Sequence, residues 1–352
     1  MEQLSGSVGP DCGDGRRPVM LSVIVPCYNE IEVIGETHRR LSRCLDAITA
    51  DWEIVYVDDG SRDGTVEALT DLARTEPRLL VVRLARNFGH QIAVSAGFDH
   101  VRGAAVVIID ADLQDPPEVI AGMVELWEQG ADVVLGRRES REGESWFKLK
   151  TASYFYRILN RISDVAIPLD VGDFRLIDRA VLDVLRAMPE RHRLLRAMTS
   201  WVGFRQVEMP YHRAARFAGT TKYPLKKMLR LSLDGLLSFS TVPLKMIGAL
   251  GFALATLAVL GIVYALVLRL FTSNWVPGFT LLFVAMLLIG GLQFISLSVI
   301  GAYIGRVYSE AKQRPLYVVA ERIPGGSPPT PRRRGRQAVP VVPAATGGGV
   351  RS

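Results

Sequence analysis

Three aspartates, Asp110, Asp112 and Asp115, directly follow the β-branched run at 106–109. Such a run is typical of a buried strand in a parallel sheet. In open α/β sheets ligands bind beyond the carboxyl ends of the strands, so we expect these acids to face a substrate. Side chains alternate along an extended backbone, which predicts that Asp110 and Asp112 point the same way and could share one Mg²⁺ or Mn²⁺ ion. The alternative is a solvated turn in which Asp-Pro-Pro starts a helix.

Two further strand patterns end in polar side chains in the same way. Residues 52–57 run into Asp58, and residues 21–25 are soon followed by Tyr28 and Glu30. Each pattern precedes a helical one, so the sequence predicts βα units whose strand ends form a nucleotide pocket with a metal ion. The chain has no Gly-x-Gly-x-x-Gly after the first strand and no Gly-Lys-Ser/Thr, which disfavours dinucleotide-binding and P-loop proteins.

Four motifs carry a resemblance to a known family. They are Pro-Cys-Tyr-Asn-Glu at 26–30, Asp-Asp-Gly-Ser-Arg-Asp-Gly-Thr at 58–65, Arg-Asn-Phe-Gly-His-Gln at 86–91 and Asp-Ala-Asp-Leu-Gln-Asp-Pro-Pro-Glu at 110–118. From Leu21 to Tyr308 the chain resembles glycosyltransferase family 2, and more narrowly the polyprenyl-phosphate glycosyltransferases of the dolichyl-phosphate mannose synthase and bacterial undecaprenyl-phosphate glucosyltransferase type. The resemblance implies an α/β fold of the GT-A type, a nucleotide-sugar-binding domain with a Rossmann-like mixed sheet. Interfacial amphipathic helices and a two-helix transmembrane hairpin would follow it.

The resemblance also implies a donor site at these strand ends. Tyr28, Glu30 and Asp58 would bind the nucleoside end, and Gln114, on the same predicted face as Asp112, would reach a phosphate or the sugar. The expected donor-binding residues are Pro26, Tyr28, Glu30, Asp58, Asp110, Ala111 and Gln114. Asp110 and Asp112 would hold Mg²⁺ or Mn²⁺ across the donor diphosphate, which makes Asp112 a catalytic candidate as well.

Asp173 is the second catalytic candidate. It lies in Asp-Val-Gly-Asp-Phe-Arg-Leu at 170–176, which resembles the segment that holds the family's proposed base. A phosphate nucleophile is already largely anionic near neutral pH, its second pKa being about 6, so Asp173 could orient the acceptor as much as deprotonate it. The structural alternatives are a cap for the helix that begins near Asp178 or an ion pair with Arg175. The resemblance places Arg196, farther along the chain, near the acceptor path.

Three further basic residues are implied to bind phosphate. Arg138 matches a family arginine near the donor or acceptor phosphate, and Arg216 and Lys222 match family residues that contact the phosphates. An exposed ion pair with Glu139 or Glu142 is the alternative for Arg138. Arg216 and Lys222 could instead be simple membrane-surface charges.

Two apolar stretches, at about 246–269 and 277–305, are each long enough to cross the ~30 Å hydrocarbon layer of a membrane. Basic residues flank their outer ends, so the positive-inside rule places the catalytic domain and both termini in the cytoplasm. Residues 223–242 alternate basic and apolar side chains as interfacial helices do. Small residues in the second stretch suit close helix packing, including packing within a homo-oligomer. A buried helical pair in a soluble protein is the alternative.

Composition indicates the cellular compartment and the class of binding partner. Three cysteines form no even disulfide framework, which fits a reducing compartment, and no signal-peptide pattern is present. The net charge of +6 is concentrated beside the apolar segments and in the C-terminal tail, which indicates a membrane surface and not nucleic acid. The remaining predicted segments are a disordered tail at 1–19, the catalytic domain at 20–222, a cytoplasmic extension at 307–323 and a disordered basic tail at 324–352.

The resemblance implies an inverting enzyme that moves one sugar from a nucleotide-sugar, with a UDP-sugar favoured, onto a polyprenyl phosphate such as undecaprenyl phosphate. The alternatives are transfer of mannose from a GDP donor and a membrane-anchored protein that binds a nucleotide-sugar without turnover. A processive polysaccharide synthase is disfavoured, because two spans make no channel and the chain has no Gln-x-x-Arg-Trp.

Overall fold

The computed structural model describes residues 20–139, 171–212, 242–271 and 279–326. Arg216, Lys222 and the predicted interfacial helices up to residue 241 lie outside the described residues, and so do the N-terminal tail and nearly all of the C-terminal tail. What the sequence predicts for those segments therefore stays a prediction.

Eight strands of the described residues form a single mixed sheet. They are β1 (Leu21–Cys27), β2 (Trp52–Asp58), β3 (Leu79–Leu84), β4 (Ala105–Ile108), β5 (Val133–Arg138), β6 (Val171–Asp178), β7 (Gln206–Tyr211) and β8 (Val319–Pro324). Their order across the sheet is β7-β5-β6-β4-β1-β2-β3-β8. The strands from β4 to β3 in this order are parallel, whereas β6 runs antiparallel between β4 and β5.

Helices cover both faces of the sheet. They are α1 (Ile34–Ile48), α2 (Thr65–Thr75), α3 (His90–Phe98), α4 (Val119–Glu128), α5 (Arg179–Ala187) and α6 (Leu195–Val202). One apolar cluster packs α1, α2 and α4 on one face through residues such as Leu41 and Met123. A second cluster packs α3, α5 and α6 on the other face, with Val94 and Leu182 among its members. Burial of both faces explains why β4 is a continuous apolar run and why β1 and β2 are mostly apolar.

The predicted βα units are confirmed for β1 with α1 and for β2 with α2. The start of α5 also answers a question left open by the sequence. The side chain of Asp178 caps this helix, because its Oδ1 accepts a hydrogen bond from the Ala180 N–H at 2.8 Å. Asp173 lies five positions earlier inside β6, so the prediction that it could be the helix cap is wrong.

The chain returns to the sheet after its last long helix. β8 pairs antiparallel with β3 and forms an edge of the sheet. Two backbone hydrogen bonds extend this pairing, from the Ala85 N–H to the Val318 carbonyl at 2.8 Å and from the Gly325 N–H to the Leu79 carbonyl at 2.7 Å. No strand was predicted here, since the sequence indicated an extension followed by a disordered tail.

Two long apolar helices, α7 (Val242–Phe271) and α8 (Phe279–Ala311), occupy the predicted membrane region. Within the described ranges one stretch, Leu288–Ala311, is long and apolar enough to cross a membrane, with a mean hydropathy of 1.7 and no part of it buried. In α7 the apolar stretch Ile247–Gly261 is shorter. One candidate span is therefore supported, and the predicted two-helix hairpin is not confirmed.

Candidate active site

Most of the predicted site residues that the structure describes lie at one edge of the sheet. The carboxyl ends of β1, β2 and β4 lie there because these strands are parallel. β6 runs in the opposite direction, so its first residues reach the same edge. Its register pairs Val171 with Arg137 of β5 and Arg175 with Ile108 of β4. Asp173, between them, is thereby brought close to Asp110, although the two are far apart in sequence.

Asp173 is the centre of a charged cluster. Its Oδ1 accepts a hydrogen bond from Arg196 Nε at 2.9 Å, and its Oδ2 accepts one from Gln91 Nε2 at 3.2 Å. The Nε2 of His90 lies 3.2 Å from Asp173 Oδ2 and 3.7 Å from Asp110 Oδ1. This nitrogen is not aligned for a hydrogen bond with any described group, so both are close charge contacts. The imidazole thus stands between the two carboxylates.

Burial and neighbouring charges shift the pKa values of these groups in opposite directions. Burial favours the neutral form of the His90 imidazole, but Asp110 and Asp173 outweigh it and raise the pKa of His90 to about 9. Burial raises the pKa of Asp110 to about 6, although the charge of His90 opposes the rise. For Asp173 burial also favours protonation, but His90 and Arg196 prevail and lower its pKa well below the usual value. Asp173 is therefore a firmly ionised carboxylate.

Arg175 fixes the start of β6 against α6. Its side chain is almost fully buried, and Nη1 donates to Thr199 Oγ1 at 3.1 Å while Nη2 donates to the Gly172 carbonyl at 2.9 Å. Burial lowers the pKa of Arg175 to about 10. Its Nη2 lies 3.9 Å from Asp173 Oδ1, so the predicted ion pair is formed alongside the shorter contact from Arg196.

Arg138, the last residue of β5, is held from two sides. Its Nε donates to Tyr211 Oη at 3.3 Å, and its Nη2 lies 3.9 Å from Asp115 Oδ1. Tyr211 Oη in turn donates to the buried Asp115 carboxylate. A Cβ added at Gly172 would lie 2.8 Å from Arg138 Nη2, which shows how closely the guanidinium approaches the start of β6. Arg138 therefore stands next to the strand that carries Asp173.

The exposed ion pair predicted as the alternative for Arg138 does not involve Glu139. The Oε2 of Glu139 instead lies 3.0 Å from His212 Nε2. The other predicted partner, Glu142, lies outside the described residues.

The turn after β4 carries the predicted metal ligands. β4 ends two residues before Asp110, residues 111–115 form turns and bends, and Leu113 has a φ of 58°. The prediction that an extended backbone aligns Asp110, Asp112 and Gln114 on one face is therefore wrong. In the turn, Asp112 Oδ1 accepts the Gln114 N–H at 3.1 Å. Among the residues that the structure describes, no three His, Cys, Asp or Glu side chains form a group that could hold a metal ion.

Three of the predicted donor residues have contacts that fix the strand ends. Pro26 is buried within β1. Ala111 is buried, and its carbonyl accepts the Thr37 hydroxyl at 2.7 Å. The Glu30 N–H donates to Thr65 Oγ1 at 2.9 Å. Their direct contact with a donor stays a prediction.

A pocket of about 230 Å³ opens at the carboxyl ends of β2 and β3. Residues that line it include Tyr28, Ser61, Arg62, Arg83, Arg86 and Ala320. Of the predicted donor residues, Tyr28 faces this pocket with 39% of its surface exposed. Asp58 is fully buried, and its carboxylate accepts the Ser61 N–H at 3.2 Å. Burial raises the pKa of Asp58, and the Ser61 hydrogen bonds oppose the rise. An aromatic ring beside three guanidinium groups suits a nucleoside diphosphate.

The loop before α3 is held by Asp59. One carboxylate oxygen accepts the Phe88 N–H at 2.7 Å and the other accepts the Gly89 N–H at 2.9 Å. Gly89 has a φ of 102°, which favours glycine and turns the chain sharply into the helix. The next two residues, His90 and Gln91, are thereby presented to Asp173.

No role was predicted for His90, Gln91 or Tyr211. The first two belong to the motif at 86–91, so their presence in a family motif was the available signal. Asp115 was expected to face a substrate together with the other acids after β4, but its side chain is buried and accepts a hydrogen bond from Tyr211. Tyr211 carried no signal, because a tyrosine at the end of a strand is ordinary and its partners are distant in sequence.

Comparisons with known proteins identify the family of this chain. Residues 22–186 match the glycosyl transferase family 2 domain. The chain is 46% identical over 303 residues to the uncharacterized glycosyltransferase YkcC of Bacillus subtilis, an alignment that covers 86% of this chain and 94% of that protein. It is 44% identical to the uncharacterized glycosyltransferase sll0501 of Synechocystis, over 86% of this chain and 95% of the relative.

A third relative has a more specific name. The chain is 39% identical to the prophage bactoprenol glucosyl transferase homolog of Escherichia coli, over 85% of this chain and 98% of that protein. The three alignments cover 303, 306 and 299 residues, far more than the matched domain at 22–186. The expected GT-A class of α/β fold with a mixed sheet is thus supported by both structure and relatives. The chain belongs to glycosyltransferase family 2 and is a glycosyltransferase.

Proposed function

We propose that this enzyme transfers one sugar from a nucleotide-sugar, with a UDP-sugar favoured, to a polyprenyl phosphate such as undecaprenyl phosphate at the cytoplasmic face of the membrane. The observation that carries the proposal is the ionised Asp173, which contacts Arg196 and His90 next to the acids that follow β4. The relatives named bactoprenol glucosyl transferase support this class of acceptor, since they match most of the chain.

The donor would lie across the carboxyl ends of β1 to β4. Tyr28 would hold the nucleoside end, the buried Asp58 would position Ser61 beside it, and the arginines of the pocket would attract the phosphates. Asp110 and Asp112 suit Mg²⁺ or Mn²⁺, because carboxylate oxygens are the preferred ligands of both. Burial raises the pKa of Asp110 to about 6, so a cation would favour its ionised form. When bound, the metal would neutralise charge that develops on the leaving diphosphate.

The acceptor phosphate would lie near Arg138 and Arg196. Arg196 contacts Asp173, and Arg138 approaches the start of the strand that carries Asp173, so both guanidinium groups can bind an anion placed there. Asp173 holds Arg196 in place. Because its own pKa is low and a phosphate is already largely anionic near neutral pH, Asp173 orients the acceptor rather than serving as a strong base.

The reaction that fits this arrangement is a direct displacement at the anomeric carbon. An acceptor phosphate oxygen forms the new bond while the bond to the donor diphosphate breaks, and the nucleoside diphosphate leaves with both bonding electrons. Attack from the side opposite the leaving group inverts the anomeric configuration. The chain's residues bind and orient the two anions, so their main contribution is proximity and charge stabilisation.

We also propose that the protein crosses the membrane twice. β7, which precedes α7, and β8, which follows α8, belong to the same sheet. If α8 spans the membrane, the chain must cross a second time to bring both strands to one side, and α7 is the apolar helix available for it. Basic residues outside the helices favour the cytoplasmic side for the sheet. Arg216 and Lys222 would then lie between sheet and membrane, where an anchored phosphate arrives.

The test is a transfer assay with the full-length protein in lipid vesicles. The vesicles contain undecaprenyl phosphate, and the donors are UDP-glucose, UDP-N-acetylglucosamine and GDP-mannose with Mg²⁺ or Mn²⁺. We expect one radiolabelled sugar per extracted lipid from a UDP donor. A labelled polymer would indicate a processive synthase, lipid product from GDP-mannose alone would reassign the donor, and donor binding without product would indicate a non-catalytic protein.

A further inference from the structure

The pairing of β8 with β3 is irregular beside the pocket at the carboxyl ends of β2 and β3. Its register pairs Glu321 with Arg83 and then Val319 with Leu84, so Ala320 has no partner on β3. This extra residue is a β-bulge, a feature that is common beside active sites because it redirects a side chain. Here it turns Ala320 toward the pocket at the end of β3.

Ala320 belongs to the wall of that pocket together with Tyr28 and Arg86. Those two residues come from the first third of the chain, whereas Ala320 follows the apolar helix α8. The neighbouring Glu321 lies with its Oε2 3.9 Å from Nη1 of Arg83, another lining residue. The pocket is thus completed by a segment that comes after the membrane region.

Several contacts hold this segment in place. Tyr317 is buried, and its hydroxyl donates to Asp99. At the end of α8, Glu310 Oε1 accepts the Arg191 N–H at 2.9 Å. The pairing of β8 with β3 follows these two contacts in the chain and ends at the turn after Pro324. A wall supported at both ends is stiff enough to limit what enters the pocket.

We propose that β8 forms the outer wall of the donor pocket and that the small side chain of Ala320 sets the space left for the nucleoside of the donor. The ligand class is a nucleoside diphosphate, with a planar base beside Tyr28 and anionic phosphates near the arginines. This inference rests on the proposed function, because it assigns the pocket to the donor. In this arrangement donor binding depends on β8, a strand that follows α8 in the chain.

The experiment measures binding of UDP to the full-length protein in detergent by calorimetry, with Mg²⁺ present. Ala320→Ser, Ala320→Leu and Ala320→Trp place increasing volume at the bulge. Arg322→Trp is the matched control, because it adds the same ring to the same strand at a residue paired with Val82 and outside the pocket lining. Melting temperatures identify any variant that fails to fold.

We expect UDP affinity to fall as side-chain volume increases, by about tenfold or more for Ala320→Trp, and to stay within about twofold for Arg322→Trp. If Ala320→Trp fails to fold, the Ser and Leu variants still test the trend. Unchanged affinity in folded Leu and Trp variants would overturn the inference. Equal losses in Ala320→Trp and Arg322→Trp would also overturn it, because they would reflect displacement of the strand. If the unaltered protein binds neither UDP nor GDP, the proposed function itself fails.

Discussion

Replacing Asp173 by Asn removes one negative charge while keeping the shape of the side chain. In the structure this charge faces Arg196 Nε at 2.9 Å, His90 Nε2 at 3.2 Å and, more distantly, Arg175 Nη2 at 3.9 Å. The amide would keep one acceptor oxygen for Arg196 or Gln91. Three cationic groups would then surround a neutral side chain, and the position of Arg196 would no longer be fixed by charge.

The magnitude follows from these contacts. Removing one partner of a buried ion pair costs about 3–5 kcal/mol, and one charge-assisted hydrogen bond contributes about 1.5–3 kcal/mol. The Asp173 side chain is 16% exposed and that of Arg196 is 36% exposed, so solvent screens part of this interaction. We therefore expect folding stability to fall by about 2–3 kcal/mol. Turnover should fall by about 10²–10⁴-fold, as for the loss of a positioned catalytic group.

The assay compares turnover, the KM for undecaprenyl phosphate, UDP affinity and melting temperature in the variant and the parent. UDP affinity should change by less than about threefold, because we propose that Asp173 acts on the acceptor and not on the donor. Asp183→Asn is the matched control, since Asp183 forms a surface ion pair with Arg186 and is 46% exposed. A loss of UDP affinity that parallels the loss of turnover would refute the reasoning and place Asp173 in the donor site or in a purely structural role.

Two further predictions concern the donor and acceptor sites. Asp112→Asn should abolish transfer and Mg²⁺- or Mn²⁺-dependent UDP binding without lowering the melting temperature; normal turnover in excess metal would show that Asp112 is not a ligand. Replacing both Arg216 and Lys222 by Gln should reduce transfer at limiting undecaprenyl phosphate by about a hundredfold or more, because two charge-assisted phosphate contacts are lost. The same change at Lys226 and Lys227 is its control, and an equal effect of both pairs would indicate membrane attraction alone.

The strands that carry the acids were predictable because burial on both faces produces continuous apolar runs. The run before Asp110 and the run before Asp58 each end where the backbone leaves the sheet, and polar residues begin there. The sequence pattern did not predict the backbone conformation of the turn that follows the strand. Leu113 adopts a positive φ, a conformation that leucine disfavours and that no local pattern indicates, so the turn was read as extended backbone.

The residues of the proposed acceptor side were predictable individually, but their contacts with one another were not. Asp173 and Arg196 were identified from motifs, yet their hydrogen bond depends on how β6 and α6 pack. The contacts of Gln91 and His90 with Asp173 require the antiparallel insertion of β6 beside β4. Such pairings join segments distant in sequence, and periodicity carries no information about which strands become neighbours.

β8 was not predicted from the sequence, for a different reason. Its sequence, Val-Ala-Glu-Arg-Ile-Pro, has charged residues in the middle and a proline at the end. Those features are normal for an edge strand, which has one side open to solvent, but they also resemble an irregular extension.

The docking of β8 also has a consequence for biosynthesis. Tyr317 contacts Asp99, which precedes it by 218 residues, and the strand that follows Tyr317 covers the open edge of β3. A ribosome makes that covering strand after both apolar helices have been synthesised. Until then the unpaired backbone groups of β3 form an exposed edge, the kind of surface that recruits strands from other chains. The catalytic sheet can therefore be completed only after α7 and α8 have been synthesised.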